Sequence, residues 1–220
     1  MYNIILIGTA HIENGQCNSD ELYKIIESIN PDVIFEEMPS SYFNAYYVTK
    51  TLRSLESDTI NQYFKSHNVK IIPVDIDVRQ QLSKYQNEIN FIFHTIFKHE
   101  NYIKLDNEKE DLIIQEGFRY LNSDEFLDFL EKKKVIEKQI IESQPDKDRL
   151  LNIYKLFHIA QHDSRENAML QNIYNYSKEN QFSQAVFLLG AEHRKSIMEK
   201  ITEYEKLSGI KLNWTTYGDY

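Results

Sequence analysis

The chain repeats one pattern, in which a short apolar run is followed at once by polar or charged residues. The runs stop after about four or five residues, which is too short for a buried helix and typical of strands covered on both faces. Longer segments with apolar residues at helical spacing separate them. The strand segments are residues 3–7, 32–39, 70–77, 185–189 and 210–217. The pattern predicts an α/β fold: a mostly parallel central sheet with flanking helices and a large helical insertion between strands three and four.

Start and stop signals bound the helical segments. Asn18, followed three residues later by Glu21, predicts a capped helix that ends before Pro31, because proline restricts the residue that precedes it. Residues 40–68 are expected to be helical, with a break near residues 54–57. Pro73 removes one hydrogen-bond donor from strand three, which weakens that assignment or places the strand at an edge of the sheet.

Composition narrows the class of protein. The 220 residues, 41% of them hydrophobic, suit a single domain over residues 1–220 with a helical elaboration at about 78–180. A net charge of -9 argues against nucleic-acid and membrane-surface partners. No run approaches the ~18 apolar residues of a membrane span, and no secretory signal is visible, so the cytoplasm is the expected location. Cys17, the single cysteine, is expected to be incidental.

Four predicted strands deliver polar side chains at their carboxyl ends. Because the carboxyl ends of parallel strands meet at one edge of a sheet, where ligands bind in open α/β folds, these side chains are expected to lie close together. They are His11, Glu36, Glu37, Asp75, Asp77 and His193.

Glycines precede both histidines by three positions. Gly8 and Gly190 are expected to let the backbone turn tightly or approach a bound substrate closely. Asp75 is a further candidate for binding, although a carboxylate there is also an ordinary cap for a following helix. The alternative for the whole pattern is that the glycines only end strands, and that each histidine caps a helix or packs in a loop.

Histidines and carboxylates at one edge are suited to activating water. Two neutral imidazoles and one carboxylate, with a coordination position left open, are a known pattern of catalytic zinc and related metals, so Mn, Co or Zn is a candidate cofactor. Without a metal, one histidine would act as general base, a carboxylate would orient it, and a cation would stabilise the oxyanion. Both versions describe a hydrolase.

An ordered set of motifs resembles the TraB/PrgY/GumN group, together with the related TIKI proteases, erythromycin esterases and ChaN-like proteins. The set covers nearly the whole chain: Gly8-Thr9-Ala10-His11, residues 31–37 (PDVIFEE), residues 75–77 (DID), residues 164–169 (SRENAM) and Gly190-Ala191-Glu192-His193.

The resemblance implies a single TraB-like α/β domain with a catalytic site of His11, Glu37, Arg165 and His193. In TIKI-like members the activity is metal-dependent peptide hydrolysis, which would make His11, Glu37 and His193 the metal ligands. In erythromycin-esterase-like members a histidine activates water without a metal. Counting from Pro31 selects Glu37, and Glu36 on the opposite face of the strand is the alternative.

The chain departs from that family pattern at two places. Ser164 stands where an acidic residue often precedes the arginine, and Arg194 and Lys195 replace an apolar continuation. The substrate is therefore not implied. Taken without the resemblance, Arg165 would more simply pair with exposed carboxylates on a helix surface.

Other candidates carry weaker signals. His158 and His162 are four residues apart on a predicted helix, but Ile159 stands where the zincin pattern needs glutamate, so packing is the default expectation. Tyr42, Tyr46 or Tyr47 could line the pocket after strand two.

The sequence thus predicts a hydrolase that acts on a small-molecule or peptide substrate and cleaves a peptide or ester bond. The alternative is a non-catalytic binding or regulatory protein that uses the same pocket for a small molecule or peptide. The sequence leaves three roles for the helical insertion: a lid, the surface of a homodimer, or scaffold.

Overall fold

The computed structural model describes residues 2–219 and shows an α/β fold built on one sheet. The strands are β1 (Asn3–Thr9), β2 (Val33–Pro39), β3 (Lys70–Asp75), β4 (Gln184–Gly190) and β5 (Asn213–Thr216). Their order is β3-β2-β4-β1-β5, and every pairing is parallel. The predicted fold class is confirmed.

Helices cover both faces of the sheet and form the insertion. They are α1 (Ser19–Ile29), α2 (Leu55–Tyr63), α3 (Arg79–Leu82), α4 (Gln86–Phe97), α5 (Glu100–Glu116), α6 (Phe118–Leu121), α7 (Asp124–Glu142), α8 (Lys147–His158), α9 (Arg165–Glu179) and α10 (Arg194–Ser208). A π-helical turn, Ile159–Ser164, joins α8 to α9. Helices α3 to α9 lie between β3 and β4, as predicted for residues 78–180. Within residues 2–219, no helix combines the length and the apolar character that crossing a bilayer requires.

The sheet is buried on both faces because successive strand residues point to opposite sides. On one face Ile5 packs in a cluster with Ile26 of α1, and on the other Ile4 packs in a cluster with Ile173 of α9. The insertion has a separate core around Ile92, contributed by α4, α7 and α8 among others. The sheet edge beside the strand ends is therefore held from both sides.

The register of the strands places their carboxyl ends side by side. Thr9 of β1 pairs with Gly190 of β4, and Glu36 of β2 pairs with Leu188 of β4. The segments that carry the two histidines thus leave neighbouring strands at the same level. Pro73 lies in β3 at an edge of the sheet, as its missing donor predicts.

Helix α2 begins where the sequence predicts a break. Ser54 caps α2 by accepting a hydrogen bond from the Ser57 amide, and the Ser57 hydroxyl accepts one from the Ser54 amide. These serines therefore start a helix, and the irregular stretch lies just before them. The Leu55 amide donates to the His11 carbonyl at 3.0 Å, which brings the first turn of α2, with Glu56, against the end of β1.

Candidate active site

The ends of β1, β2 and β4 bring the two histidines to one carboxylate. His11 Nε2 lies 3.9 Å from Glu37 Oε2, and His193 Nε2 lies 3.5 Å from Glu37 Oε1. The imidazoles come from positions almost a full chain length apart and meet at Glu37. The structure therefore brings together three of the side chains that the strand-end pattern selects.

A buried carboxylate orients His11. The His11 backbone is left-handed, with φ of 60°, and Nδ1 lies 2.9 Å from Glu56 Oε1. The Thr9 hydroxyl donates to the same oxygen. An ionised carboxylate only accepts hydrogen bonds, so Nδ1 carries the proton in this pair. Nε2 is then the nitrogen on the Glu37 side.

The same pair shifts the pKa values of both partners. Burial lowers the pKa of His11, but the hydrogen bond to Glu56 and the negative charges of Glu56 and Glu37 outweigh it and raise the pKa to about 9. Burial raises the pKa of Glu56, and the hydrogen bond and charge of His11 reverse this, lowering it to about 2. Each partner therefore stabilises the charged form of the other.

A second carboxylate orients His193. His193 Nδ1 lies 2.8 Å from Glu166 Oε1, and Glu166 Oε2 accepts hydrogen bonds of 2.6 Å from Ser196 Oγ and Lys200 Nζ. Burial raises the pKa of Glu166, but these three hydrogen bonds lower it to about 2. His11 and His193 thus belong to two similar histidine–carboxylate pairs, one on each side of Glu37.

Arg165 fixes Glu37 from the side of α9. Its Nη2 donates to Glu37 Oε1 at 2.5 Å and to Asp75 Oδ2 at 2.6 Å, while its Nε donates to Asp75 Oδ2 at 3.0 Å. Burial raises the pKa of Glu37, but the positive charges of His193, His11 and Arg165 hold it below its ordinary value. The simpler expectation for Arg165, an exposed surface pair, does not describe this geometry.

The two glycines differ in their surroundings. The Gly190 amide donates to Glu37 Oε2 at 2.5 Å, and a Cβ at Gly190 would lie 3.0 Å from His11 Nε2. A Cβ at Gly8 would instead lie 3.0 Å from the Cβ of Ala191. The side chain of Asn122 binds both the amide and the carbonyl of Gly8. Gly190 therefore lies at the site, and Gly8 lies in packing behind it.

A cavity of about 270 Å³ opens beside Glu37. It is lined by His11, Glu36, Glu37, Met38, Pro39, Tyr42, Tyr46, Leu52, Ser54, Glu56, Arg165 and Leu188. Tyr47 donates to Glu36 at 2.5 Å, and burial raises the pKa of Glu36 to about 7. Asp75 and Gly8 are not among the lining residues, so their predicted contact with substrate stays a prediction. Asp77 binds Arg79 at the surface.

Sequence reasoning singled out neither Glu56 nor Glu166, although both orient site histidines. Glu56 lies in the first turn after the Ser54 cap, and Glu166 is the neighbour of Arg165 in α9. The capping signal predicts where α2 begins. It does not show which strand end that helix turn contacts.

A further group lies on the other side of the His193 ring. The ligand atoms of His162, Glu166 and His193 all lie within 4.8 Å of one another, so the group could hold a metal ion. Glu166 and His193 are buried, and His162 is partly so. The ring of His162 stacks on that of His158, with centroids 5.1 Å apart. The presence of this group is compatible with metal-dependent chemistry but is no evidence of hydrolysis.

The metal set implied by the family resemblance, His11, Glu37 and His193, shares only His193 with that group. Both oxygens of Glu37 are engaged, one by Arg165 and one by the Gly190 amide. Each oxygen keeps a further lone pair beside that hydrogen bond. That set stays a prediction, and no reaction step is assigned to it below.

No family model, curated protein or solved structure matches this chain. The resemblance to the TraB/PrgY/GumN group therefore rests on the sequence motifs alone.

Proposed function

We propose that the protein is a hydrolase that activates water beside Glu37 and cleaves an ester or peptide bond in a small substrate. The observation that carries the proposal is the pair of histidine–carboxylate units, His11–Glu56 and His193–Glu166, on the two sides of an arginine-bound carboxylate. A histidine oriented by a carboxylate is a recurrent arrangement for moving a proton to or from a reacting oxygen.

His11 is the general base in this proposal. Glu56 holds Nδ1, so Nε2 is left to take a proton from water, and the side chain is 48% exposed where it borders the cavity. The oxygen of that water adds to the substrate carbonyl. His11 then returns the proton from Nε2 to the leaving group, which balances the reaction.

Arg165 supports the oxyanion that forms at the carbonyl. Its Nε and Nη2 are committed to Asp75 and Glu37, whereas Nη1 makes only a long contact of 3.4 Å with Gln161. Nη1 is thus the donor that a substrate oxygen can use. Glu37 and Asp75 fix the guanidinium by accepting hydrogen bonds from Nη2 and Nε.

The size of the cavity favours a small substrate. A volume of about 270 Å³ lies near the lower end of the range for small-molecule sites. Tyr42, Tyr46 and Leu52 supply apolar surface beside the polar groups. An ester with a short acyl or aryl group matches this lining better than a long peptide.

We also propose that the chain is a divergent member of the TraB/PrgY/GumN group. The two Gly-x-x-His motifs support this, because they follow neighbouring parallel strands at the same level. Arg165 on a helix beside Glu37 supports it as well.

Hydrolysis of a panel of chromogenic esters and short peptides tests the function. The wild type and His94→Ala, which removes an exposed histidine of α4, are expected to turn over at least one substrate equally. His11→Ala is expected to lower kcat by about 100-fold or more, as for loss of a general base. Equal trace activity in all three proteins would defeat the proposal. Ligand binding that His11→Ala abolishes, without turnover by the wild type, would favour the non-catalytic alternative.

A further inference from the structure

The group on the far side of His193 has the spacing of atoms that share one metal ion. Glu166 Oε1 lies 2.8 Å from His193 Nδ1 and 3.8 Å from His162 Nδ1. Ligands about 2.0–2.1 Å from a tetrahedral zinc ion are separated by about 3.4 Å, and the observed distances lie on either side of that value. Small side-chain rotations would bring all three atoms onto one ion.

The three ligands lie on three stretches of helical backbone, two of which adjoin in the chain. His162 belongs to the π-helical turn Ile159–Ser164 and Glu166 to the first turn of α9, so they are four residues apart across a change of helix type. Such turns are frequent at functional sites. His193 comes from the short turn Ala191–His193 after β4. The three ligands therefore come from two separate parts of the chain.

A second layer of contacts leaves one oxygen of Glu166 free for a ligand role. Ser196 and Lys200 both bind Oε2, so the carboxylate is held with Oε1 toward the histidines. Partners of this kind orient metal ligands in proteins. The Lys200 ammonium opposes a nearby cation, and the carboxylate of Glu192, which pairs with Lys133 at 2.6 Å, also interacts electrostatically with His162 and His193.

The group also opens onto the larger cavity of the insertion. This cavity has a volume of about 670 Å³, and His158, His162 and Glu166 line it. It provides an entry path and room for a coordination position facing away from the protein ligands. His158 Nε2 is one of two buried side-chain polar atoms in residues 2–219 without a hydrogen-bond partner. This nitrogen is a further polar group beside His162, although His158 does not belong to the set whose ligand atoms lie within 4.8 Å of one another.

We propose that His162, Glu166 and His193 bind a divalent first-row transition metal, with Zn²⁺ the best match, on the cavity side of His193. Imidazole ligands suit zinc and its neighbours, whereas Mg²⁺ and Ca²⁺ prefer oxygen. His193 would coordinate through Nδ1 as a neutral imidazole, so its one ring proton would lie on Nε2, on the Glu37 side. The inference does not depend on hydrolysis, because the ion lies on the opposite side of the His193 ring from Glu37.

Calorimetric titration of chelator-treated, dialysed protein with Zn²⁺ tests the site, with the visible absorption of bound Co²⁺ as a second readout. One Zn²⁺ per chain is expected for the wild type, for His11→Ala and for His94→Ala. His162→Ala is expected to weaken binding by about 100-fold or more, since it removes a direct ligand where loss of a supporting partner alone costs ~10–100-fold. An excess of Mg²⁺ or Ca²⁺ should not compete.

Three results would overturn the proposal: no Zn²⁺ bound by the wild type, unchanged affinity in His162→Ala, or loss of binding in His94→Ala. Loss in His11→Ala with retention in His162→Ala would also overturn it and would place the ion at Glu37 instead. If His162→Ala does not fold, as judged by a thermal melt without metal, His162→Gln replaces it. Anomalous scattering from Zn²⁺ in wild-type crystals locates the ion without any variant.

Discussion

Glu56 has two effects on His11: its charge raises the pKa of the imidazole, and its hydrogen bond fixes the tautomer. Glu56→Gln keeps the size of the side chain and removes its charge. In the wild type, His11 has a pKa raised to about 9, and a general base must be neutral to accept a proton. The rate constant kcat/KM of the wild type is therefore expected to rise with pH and to level off above about 9.

The magnitude of the change follows from the contacts of His11. Burial lowers its pKa, and the interactions that raise it are mainly the hydrogen bond and the negative charge of Glu56 at 2.9 Å. An opposite charge at this range shifts a pKa by about 1–3 units, and the lower end applies because the His11 side chain is half exposed. In Glu56→Gln the rise of kcat/KM with pH should therefore occur at least about 1 pH unit closer to neutral pH. The plateau should fall by about 100-fold or more, because glutamine no longer fixes the tautomer of the ring.

The assay is the pH dependence of kcat/KM for the best substrate of the ester and peptide panel, with enzyme stability checked at each pH. Glu110→Gln is a matched control, since Glu110 accepts a hydrogen bond from Asn14 on the surface and has no contact with His11. Two results would refute the assignment of His11 as the base: a kcat/KM of the wild type that does not change between pH 6 and 9, or a pH profile of Glu56→Gln that is not shifted from that of the wild type.

Three further predictions concern the frame of the site. Gly190→Ala is expected to lower activity by at least ~10-fold, because the new Cβ would lie 3.0 Å from His11 Nε2. Gly209→Ala is the control: Gly209 has φ of 72° and open space around it, so this change should lower only the free energy of unfolding, by about 1 kcal/mol in urea denaturation. Asn122→Ala should lower the free energy of unfolding by about 2–4 kcal/mol, since it leaves backbone groups of β1 unpaired. The pKa of Glu166 is lowered from 4.5 to about 2, so the ionised carboxylate stabilises the fold above pH 4.5 and loses that effect as the pH falls toward 2. The difference in unfolding free energy between the wild type and Glu166→Gln should therefore become smaller from pH 4.5 to pH 2.

The parts of the site that could be predicted from sequence are those that follow from local patterns. An apolar run that ends in Gly-x-x-His fixes both the strand and the position of its histidine, and parallel pairing then places His11 beside His193 at one edge. Pro73 indicated either a weaker strand assignment or an edge strand, and the structure has the edge strand, where the missing amide donor leaves no partner unpaired. These inferences need only the strand type and the direction of pairing.

The residues that could not be predicted are those supplied by helices. Glu56 orients His11 only because α2 docks its first turn against the end of β1, and Glu166 orients His193 only because α9 packs beside β4 and α10. Many glutamates on amphipathic helices have similar local surroundings in the sequence. Which of them is buried against a histidine depends on the tertiary contacts that fix the rotation of each helix.

Glu36 and Glu37 show how one step along a strand decides the chemistry of a side chain. Their side chains point to opposite faces of the sheet, and the partners on those faces differ. Glu36 meets Tyr47, a neutral donor, and burial raises its pKa to about 7. Glu37 meets Arg165 and both histidines, and these contacts hold its pKa below the ordinary value despite burial. The pattern of alternation thus selects the anionic member of the pair, because the helix that carries Arg165 covers only one face.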